Sequence, residues 1–207
     1  DPQSNPAYGK PVITSFARIN GRAVGVMASN SRELGGAIDA EAADTMADFM
    51  ELCDRFGLPI VSLCDTPGFM VGPDSENQAA VPRMSRLFTV GAKLSTPLIA
   101  IFLRKGYGLG AMAMAAGSFA KPVYSASWPT GEFGGMGLEG AVHLGFKKEL
   151  AGAASAQERD ALFDSLVDAA YQRGQATEAA AFLEIDAVID PADTRAVIIR
   201  ALASTTI

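Results

Sequence analysis

Two apolar-rich runs, around 12 to 19 and 22 to 28, flank the dipeptide Asn20-Gly21. Asn-Gly readily supplies the two positive φ angles of a tight hairpin turn, so this pattern predicts two antiparallel strands. From Glu41 to Phe56 the apolar residues Met46, Phe49, Met50, Cys53 and Phe56 recur every three or four positions, which predicts a helix, and Gly57 can end it in the left-handed conformation. "LPIVSLC" then reads as a buried strand. The same unit recurs: a helix around 79 to 95, a strand "PLIAIFL" from 97 to 103, a Gly-rich loop and a short helix of small residues, "GAMAMAAGS". Such alternation predicts a layered α/β fold with parallel strands. A short strand, "KPVYSAS", follows, and then a Gly-rich turn, "WPTGEFGGMGLEGAV", that runs into a helix. Ser155 and Glu158 form a capping box for a helix through about Tyr171, with Leu162, Phe163, Leu166 and Ala170 on one apolar side. Asp190-Pro191 suits the start of the last helix, with Asp as N-cap and Pro in the first turn. No low-complexity linker interrupts the chain, so residues 1 to 207 read as one domain.

Composition narrows the classes of function. With 49% hydrophobic and 19% charged residues the chain has enough apolar content for one substantial core and reads as soluble and globular. The formal charge of -6, without a basic run to follow a phosphate backbone, argues against nucleic acid. No apolar stretch approaches the ~20 residues that span a bilayer, so a membrane is not an expected partner. The two cysteines, Cys53 and Cys64, fall in apolar helical and strand patterns, which predicts buried thiols in a reducing, cytoplasmic setting. The first residues, "DPQSNPAYGK", carry neither a signal peptide's apolar segment nor an initiator methionine, and the chain is read as an excised or processed piece.

Candidate chemistry centres on glycines. Gly106-x-Gly108-x-x-Ala111 and Gly108-x-Gly110-x-x-Ala113 both satisfy a loose dinucleotide fingerprint after a strand. That fingerprint also needs an acid about 20 positions on, at the end of the next strand, and the nearest, Glu132, lies in a Gly-rich turn. "DTPG", Asp65 to Gly68, resembles a GTPase strand end, but no G-x-x-x-x-G-K-[ST] loop exists here, and a strand-ending turn explains it better. The single histidine, His143, and the absence of a G-x-S-x-G elbow argue against a nucleophilic triad, and His143 reads as a surface or partly buried helical residue. One histidine and two separated cysteines offer no metal-ligand spacing. Arg104 and Lys105 read as solvated or as an anion attractor, and Met112 and Met114 as core packing.

What remains is backbone chemistry. A strand, a Gly-rich turn and a helix start together aim unpaired N–H groups at one point, where the helix's positive end adds to the field. The chain has two such turns, Gly108 to Ala111 and Gly134 to Gly137. Either they stabilise an anion without a reactive side chain, or they are tight turns required only for packing.

At these residues the sequence resembles the C-terminal half of the carboxyltransferase component of biotin-dependent acyl-CoA carboxylases. The matching stretches are "NPAYGKPVITSFARINGRAVGV", "LPIVSLCDTPGF", "RKGYGLGAMAM", "WPTGEFGGMGLEGAV" and "EIDAVIDPADTR", in the family's order over nearly the whole chain. The resemblance implies a crotonase-like (ClpP/crotonase) fold, a spiral of ββα units in which two homologous halves make one transferase. It implies that this chain is the biotin-receiving half, without the N-terminal half that binds coenzyme A, and that it is inactive alone. It further implies as partners that N-terminal half, a biotin carboxyl carrier domain, biotin carboxylase, an acyl-CoA substrate and further copies of the chain, with biotin as the carried cofactor. Carried over by position, the family's backbone oxyanion donors fall at Leu109 and Gly110, where the family usually has a smaller residue than Leu109. Gly108, Ala111, Gly135, Met136 and Gly137 then border the biotin. After "DTPGF" the chain lacks the paired glycines common in the family's shorter members while keeping Glu76, Arg83 and Gly91-Ala92-Lys93. Each oxyanion donor is worth about 2.7 to 4 kcal/mol of transition-state stabilisation. Two other classes stay open: a non-catalytic dimerisation or assembly module, and a dinucleotide-binding domain.

Overall fold

The computed structural model describes residues 8 to 205; Asn5 to Ala7 of the first matching stretch, and the start of "DPQSNPAYGK", lie outside it. The hairpin forms as predicted. β1 (Val12–Ile19) and β2 (Arg22–Ser29) pair antiparallel from Val12 opposite Ser29 to Ile19 opposite Arg22, and Asn20 and Gly21 take φ of 51° and 81°. Helix α1 (Ala40–Arg55) follows a short 3-10 turn at Leu34–Gly36. Asp39 caps it, its carboxylate accepting the Ala42 N–H at 2.7 Å, a bond worth about 1 kcal/mol. The larger stabilisation comes from Met46, Phe49, Met50 and Cys53, all buried, at about 1.5–3 kcal/mol for each large side chain. Gly57 ends the helix with φ of 62°.

β3 (Ile60–Thr66) and β4 (Leu98–Tyr107) are the central strands, parallel to β2 and to each other. Their apolar runs are buried on both faces, as parallel strands covered by helices must be. The helix predicted at 79 to 95 is α3 (Ala80–Lys93), and a short helix absent from the sequence reading, α2 (Pro73–Asn77), precedes it; Ala79, at a left-handed φ of 55°, separates the two. Then come α4 (Gly108–Met114), β5 (Tyr124–Ser127), β6 (Glu132–Gly134), α5 (Leu138–Gly145), α6 (Lys147–Ala151), α7 (Ala156–Arg173), α8 (Ala176–Ala181), β7 (Ala187–Val188) and α9 (Thr194–Ala203). The strand order is β1-β2-β3-β4-β5-β7, and β6 pairs with the far end of β4. One core packs α1, α3 and α4 against the sheet, and a second places Ile198, Ala201 and Leu202 of α9 over Val24, Val61, Ile99 and Ile101 on the other face.

The Gly-rich loop expected after β4 does not exist. β4 continues through Arg104, Lys105, Gly106 and Tyr107 and passes directly into α4. The reason is a bulge: Cys64 lies opposite Phe102, yet Thr66, two residues later, lies opposite Gly106. The displaced backbone needs a partner, and the Asp65 carboxylate accepts the Lys105 N–H at 3.0 Å. Gly106 is tightly enclosed: a Cβ there would stand 3.1–3.2 Å from the rings of Phe133 and Phe102, which would have to give by a few tenths of an ångström. β6, read from sequence as part of a turn, forms because β5 covers only Ile99 to Phe102 and leaves the edge of Lys105 to Tyr107 to be paired.

The remaining expectations divide. Ser155 accepts the Glu158 N–H at 3.1 Å as N-cap of α7, and Glu158 reaches back to the Ala154 N–H. α7 has no fully buried residue; Phe163, Leu166 and Ala170 are half-buried, whereas Leu162 is exposed. Asp190 caps a 3-10 turn, Pro191–Asp193, that precedes α9. Cys53 and Cys64 are free and buried.

Candidate active site

The parallel strands end together, and the turns that follow them pack backbone to backbone. Gly36, after β2, carries φ of 86°, and a Cβ there would lie 2.4 Å from the Asp65 carbonyl oxygen. The buried Thr66 hydroxyl, at the end of β3, donates to the Gly36 carbonyl at 2.7 Å and accepts the Gly68 N–H at 3.1 Å. A Cβ on Gly110 would stand 2.7 Å from the Gly68 carbonyl and α carbons. One on Gly108, at φ of 57°, would stand 2.7 Å from the Gly135 carbonyl oxygen. Glycine is required at 108 and 110 for different reasons: a left-handed φ together with close approach at the first, close approach alone at the second.

Asp65 organises the rim. Its carboxylate accepts from Ser31 Oγ at 2.7 Å and from Arg104 at 3.1 Å, besides the Lys105 N–H. Burial pushes this carboxyl up, but the hydrogen bonds from Arg104, Ser31 and Lys105 outweigh it and hold it below the usual carboxylate range. Lys105 Nζ donates to the Gly35 carbonyl at 3.1 Å. Arg104 and Lys105 therefore brace the turns, and "DTPG" is a strand-ending turn built around Asp65 and Thr66.

Helix α4 begins where these turns meet. Tyr107 is its N-cap, so Gly108, Leu109 and Gly110 are the first three helical residues, whose N–H groups have no acceptor within the helix. The next, Ala111, is fully buried and its N–H faces the Tyr107 carbonyl by helix geometry. Leu109 is 60% exposed, and Gly110 is buried against Gly68. Seven residues cannot hold a helix in water; the burial of Ala111, Ala113 and Met114 holds this one.

A cleft of about 350 Å³ opens beside α4, lined by Gly108, Met112, Phe119, Phe133, Gly134 and Gly135, with exposed Arg173, Glu178, Phe182 and Glu184 at its margin. The structure thus brings Gly108 and Gly135 together. Met136 is exposed, and of the predicted site residues only Gly108 and Gly135 line the cleft; Leu109, Gly110, Ala111, Met136 and Gly137 do not. Met114 is core, whereas Met112 is half-buried in the cleft wall. His143 is exposed and stacks on Phe163, with ring centroids 4.3 Å apart. Among the described residues no group of three or more His, Cys, Asp or Glu could hold a metal. None of the described helices is long and apolar enough to cross a membrane.

Sequence reasoning missed the role of Tyr107. Its buried phenol donates to Glu132 Oε2 at 2.6 Å, and burial together with that carboxylate pushes its pKa far up. Glu132 is thereby engaged, and Gly106 is a sheet residue paired with Thr66 and Phe133, so the dinucleotide fingerprint has neither its loop nor its ribose acid. Spacing offered one usable signal: Tyr107 precedes a glycine at a strand end, where a bulky side chain needs a specific seat.

The family model for the carboxyl transferase domain matches residues 3 to 206. The chain belongs to that family. It is 37% identical over 198 residues to the methylmalonyl-CoA carboxyltransferase 12S subunit of Propionibacterium freudenreichii subsp. shermanii, covering 94% of this chain and 37% of that one. It is 38% identical to the biotin-dependent acetyl-/propionyl-coenzyme A carboxylase beta6 subunit of Mycobacterium tuberculosis, covering 95% of this chain and 41% of the relative. Carboxyl transferase family members of known structure superpose well. A single-chain, multi-domain long-chain acyl-CoA carboxylase matches with TM-score 0.84 and 57% identity, over 95% of this chain and 20% of that one. The transcarboxylase 12S hexamer matches with TM-score 0.87 and 34% identity, over 96% of this chain and 38% of that one. The chain therefore spans about two fifths of the curated relatives' length, and its α/β architecture is the crotonase-like one.

Proposed function

We propose that this chain is the biotin-side half of an acyl-CoA carboxyltransferase, in which the start of α4 stabilises negative charge on the ureido oxygen of carrier-borne biotin. The observation that carries this reading is the meeting of Gly108 with Gly135 at a helix start whose Leu109 and Gly110 N–H groups lack intrahelical acceptors. Bare backbone at Gly108, Gly134 and Gly135, beside the apolar Met112, Phe119 and Phe133, suits a flat bicyclic urea in a cleft of about 350 Å³.

Carboxybiotin supplies the CO2, and the ring nitrogen freed by its loss supplies the base for the acyl α-proton. The chain's own residues then need to do little covalent work. Leu109 and Gly110 donate N–H bonds to the oxygen that gains charge, and the apolar wall keeps water from the reactive species.

The partners of the reaction belong to the same proposal: the N-terminal transferase half for the coenzyme A moiety, a biotin carboxyl carrier domain, biotin carboxylase and further copies of the chain. Among acyl groups, the 57% identity to a long-chain acyl-CoA carboxylase favours a long chain over acetyl or propionyl. The test is carboxyl transfer by the complete enzyme from carboxybiotin to acetyl-, propionyl- and palmitoyl-CoA. Transfer with the highest kcat/KM for palmitoyl-CoA is expected; no transfer to any of the three overturns the reading, and a preference for acetyl-CoA overturns its substrate half.

A further inference from the structure

We propose that Tyr107 and Glu132 are positioning residues for the transfer reaction, holding the start of α4 against the second Gly-rich turn while leaving its N–H groups free. The inference rests on the reading above and adds two side chains to it.

An N-cap side chain ordinarily folds back and accepts the N–H of the second or third helical residue. At α4 those residues are Leu109 and Gly110, the proposed donors, so Ser, Asp or Asn at position 107 would consume what the site uses. Tyr107 makes no such capping bond. Its side chain turns toward β6, where the phenol donates to Glu132 Oε2 at 2.6 Å and its ring lies 3.8 Å from the position of a Cβ on Gly134. Gly134 is the register partner of Tyr107, and Glu132 lies two positions earlier on the same strand face. One residue beyond the pair, the two strands part into Gly108 and Gly135, which approach each other backbone to backbone. The bond therefore locks the register of β4 and β6 at the last point before both proposed turns begin.

The phenol's raised pKa keeps it protonated, and hence a donor, through the working range of pH. A similar pair nearby serves as a control: Tyr171 donates to Glu139 at 2.7 Å and ties α7 to α5 on the exposed side.

The experiment uses the complete enzyme with four variants and measures kcat, KM for acyl-CoA and melting temperature. Tyr107→Phe removes one oxygen from a buried ring, and kcat is expected to fall about 10-fold with KM changed less than about twofold, as for an interaction felt in the transition state. Glu132→Gln keeps a carbonyl acceptor and is expected to retain activity within about threefold, whereas Glu132→Ala is expected to match Tyr107→Phe. Tyr171→Phe is expected to leave kcat unchanged. Should Tyr107→Phe fold poorly, the contrast between Glu132→Ala and Glu132→Gln decides. A kcat for Tyr107→Phe within about twofold of wild type, equal activity of the two Glu132 variants, or an equal loss in Tyr171→Phe overturns the inference. Leu109→Pro, which deletes an N–H of the turn itself, is measured in parallel. Full activity there refutes the donor reading, while its loss beside an active Tyr107→Phe refutes only the positioning role.

Discussion

Replacing Gly110 by Ala is the smallest perturbation that tests whether the first turn of α4 must sit where it does. The new Cβ would lie 2.7 Å from both the carbonyl and the α carbon of Gly68 and 3.0 Å from the Phe69 nitrogen. Carbon atoms prefer about 3.5–4.0 Å, so the turn must retreat by about 1 Å, because its neighbours are backbone and have no rotamer to change. Overpacking of this kind costs about 1–3 kcal/mol, and the better helix propensity of Ala returns up to about 1 kcal/mol. The net loss of stability is therefore about 0–3 kcal/mol, small enough for a domain with about 5–15 kcal/mol of stability to stay folded. Catalysis is more exposed, since a displacement of about 1 Å in a positioned group can lower the rate about 100-fold. Carboxyl transfer from carboxybiotin and a thermal melt, run on the same preparation, separate the two effects. A folded enzyme with about 1% of wild-type kcat agrees with the account. Activity within about twofold of wild type would show that the Gly68–Gly110 contact is a packing detail.

Other predictions concern the supports of the site. In Asp65→Asn the ion pair with Arg104 is lost along with the charged acceptor for the Lys105 N–H, and chemical denaturation should show about 1.5–3 kcal/mol of destabilisation at neutral pH. Because the folded carboxyl titrates below its unfolded value, that contribution is present above the unfolded pKa of about 4 and disappears as pH falls through the lower folded value; the difference between wild type and variant should vanish there. Burial pushes the Cys53 thiol up to about 11 and Cys64 higher still, so neither should react with a thiol reagent at pH 8 before unfolding. A raised thiol pKa contributes stability below its unfolded value of about 9 and loses it as pH rises toward 11, so the melting temperature should decline across that interval.

The parts of this fold that were legible in sequence are those in which one local force dominates. Asn20-Gly21 specified its turn because both residues accept a positive φ, and α1 was legible because its apolar face and its closing Gly57 agree. What was hidden depended on distant partners. Lys105 and Gly106 read as loop because charge and glycine disfavour strands, yet Asp65, 40 residues away, and β6 supply the bonds that make them strand. The short α2 before the predicted 79 to 95 helix was hidden too, and the left-handed Ala79 that divides it from α3 takes a conformation that nothing in its residue type announces. The site followed the same division. Glycines at strand ends marked where a ligand can reach bare backbone, and the ordered resemblance assigned Leu109 and Gly110. The approach of Gly108 to Gly135 and the Tyr107–Glu132 bond joined residues about 25 positions apart, a juxtaposition that only the β4–β6 pairing creates.

The central claim is that a backbone N–H, and no side chain, carries the charge stabilisation at α4. Leu109→Pro against Leu109→Ala tests it most directly, because position 109 is 60% exposed, Pro is tolerated in a helix's first turn, and Gly108 before it has no Cβ to clash. Both variants lose the leucine side chain, and only the first loses the N–H. The account predicts that Leu109→Ala keeps kcat within about threefold of wild type while Leu109→Pro falls about 100- to 1,000-fold, the loss typical of one oxyanion donor. Equal kcat in the two folded variants would contradict it.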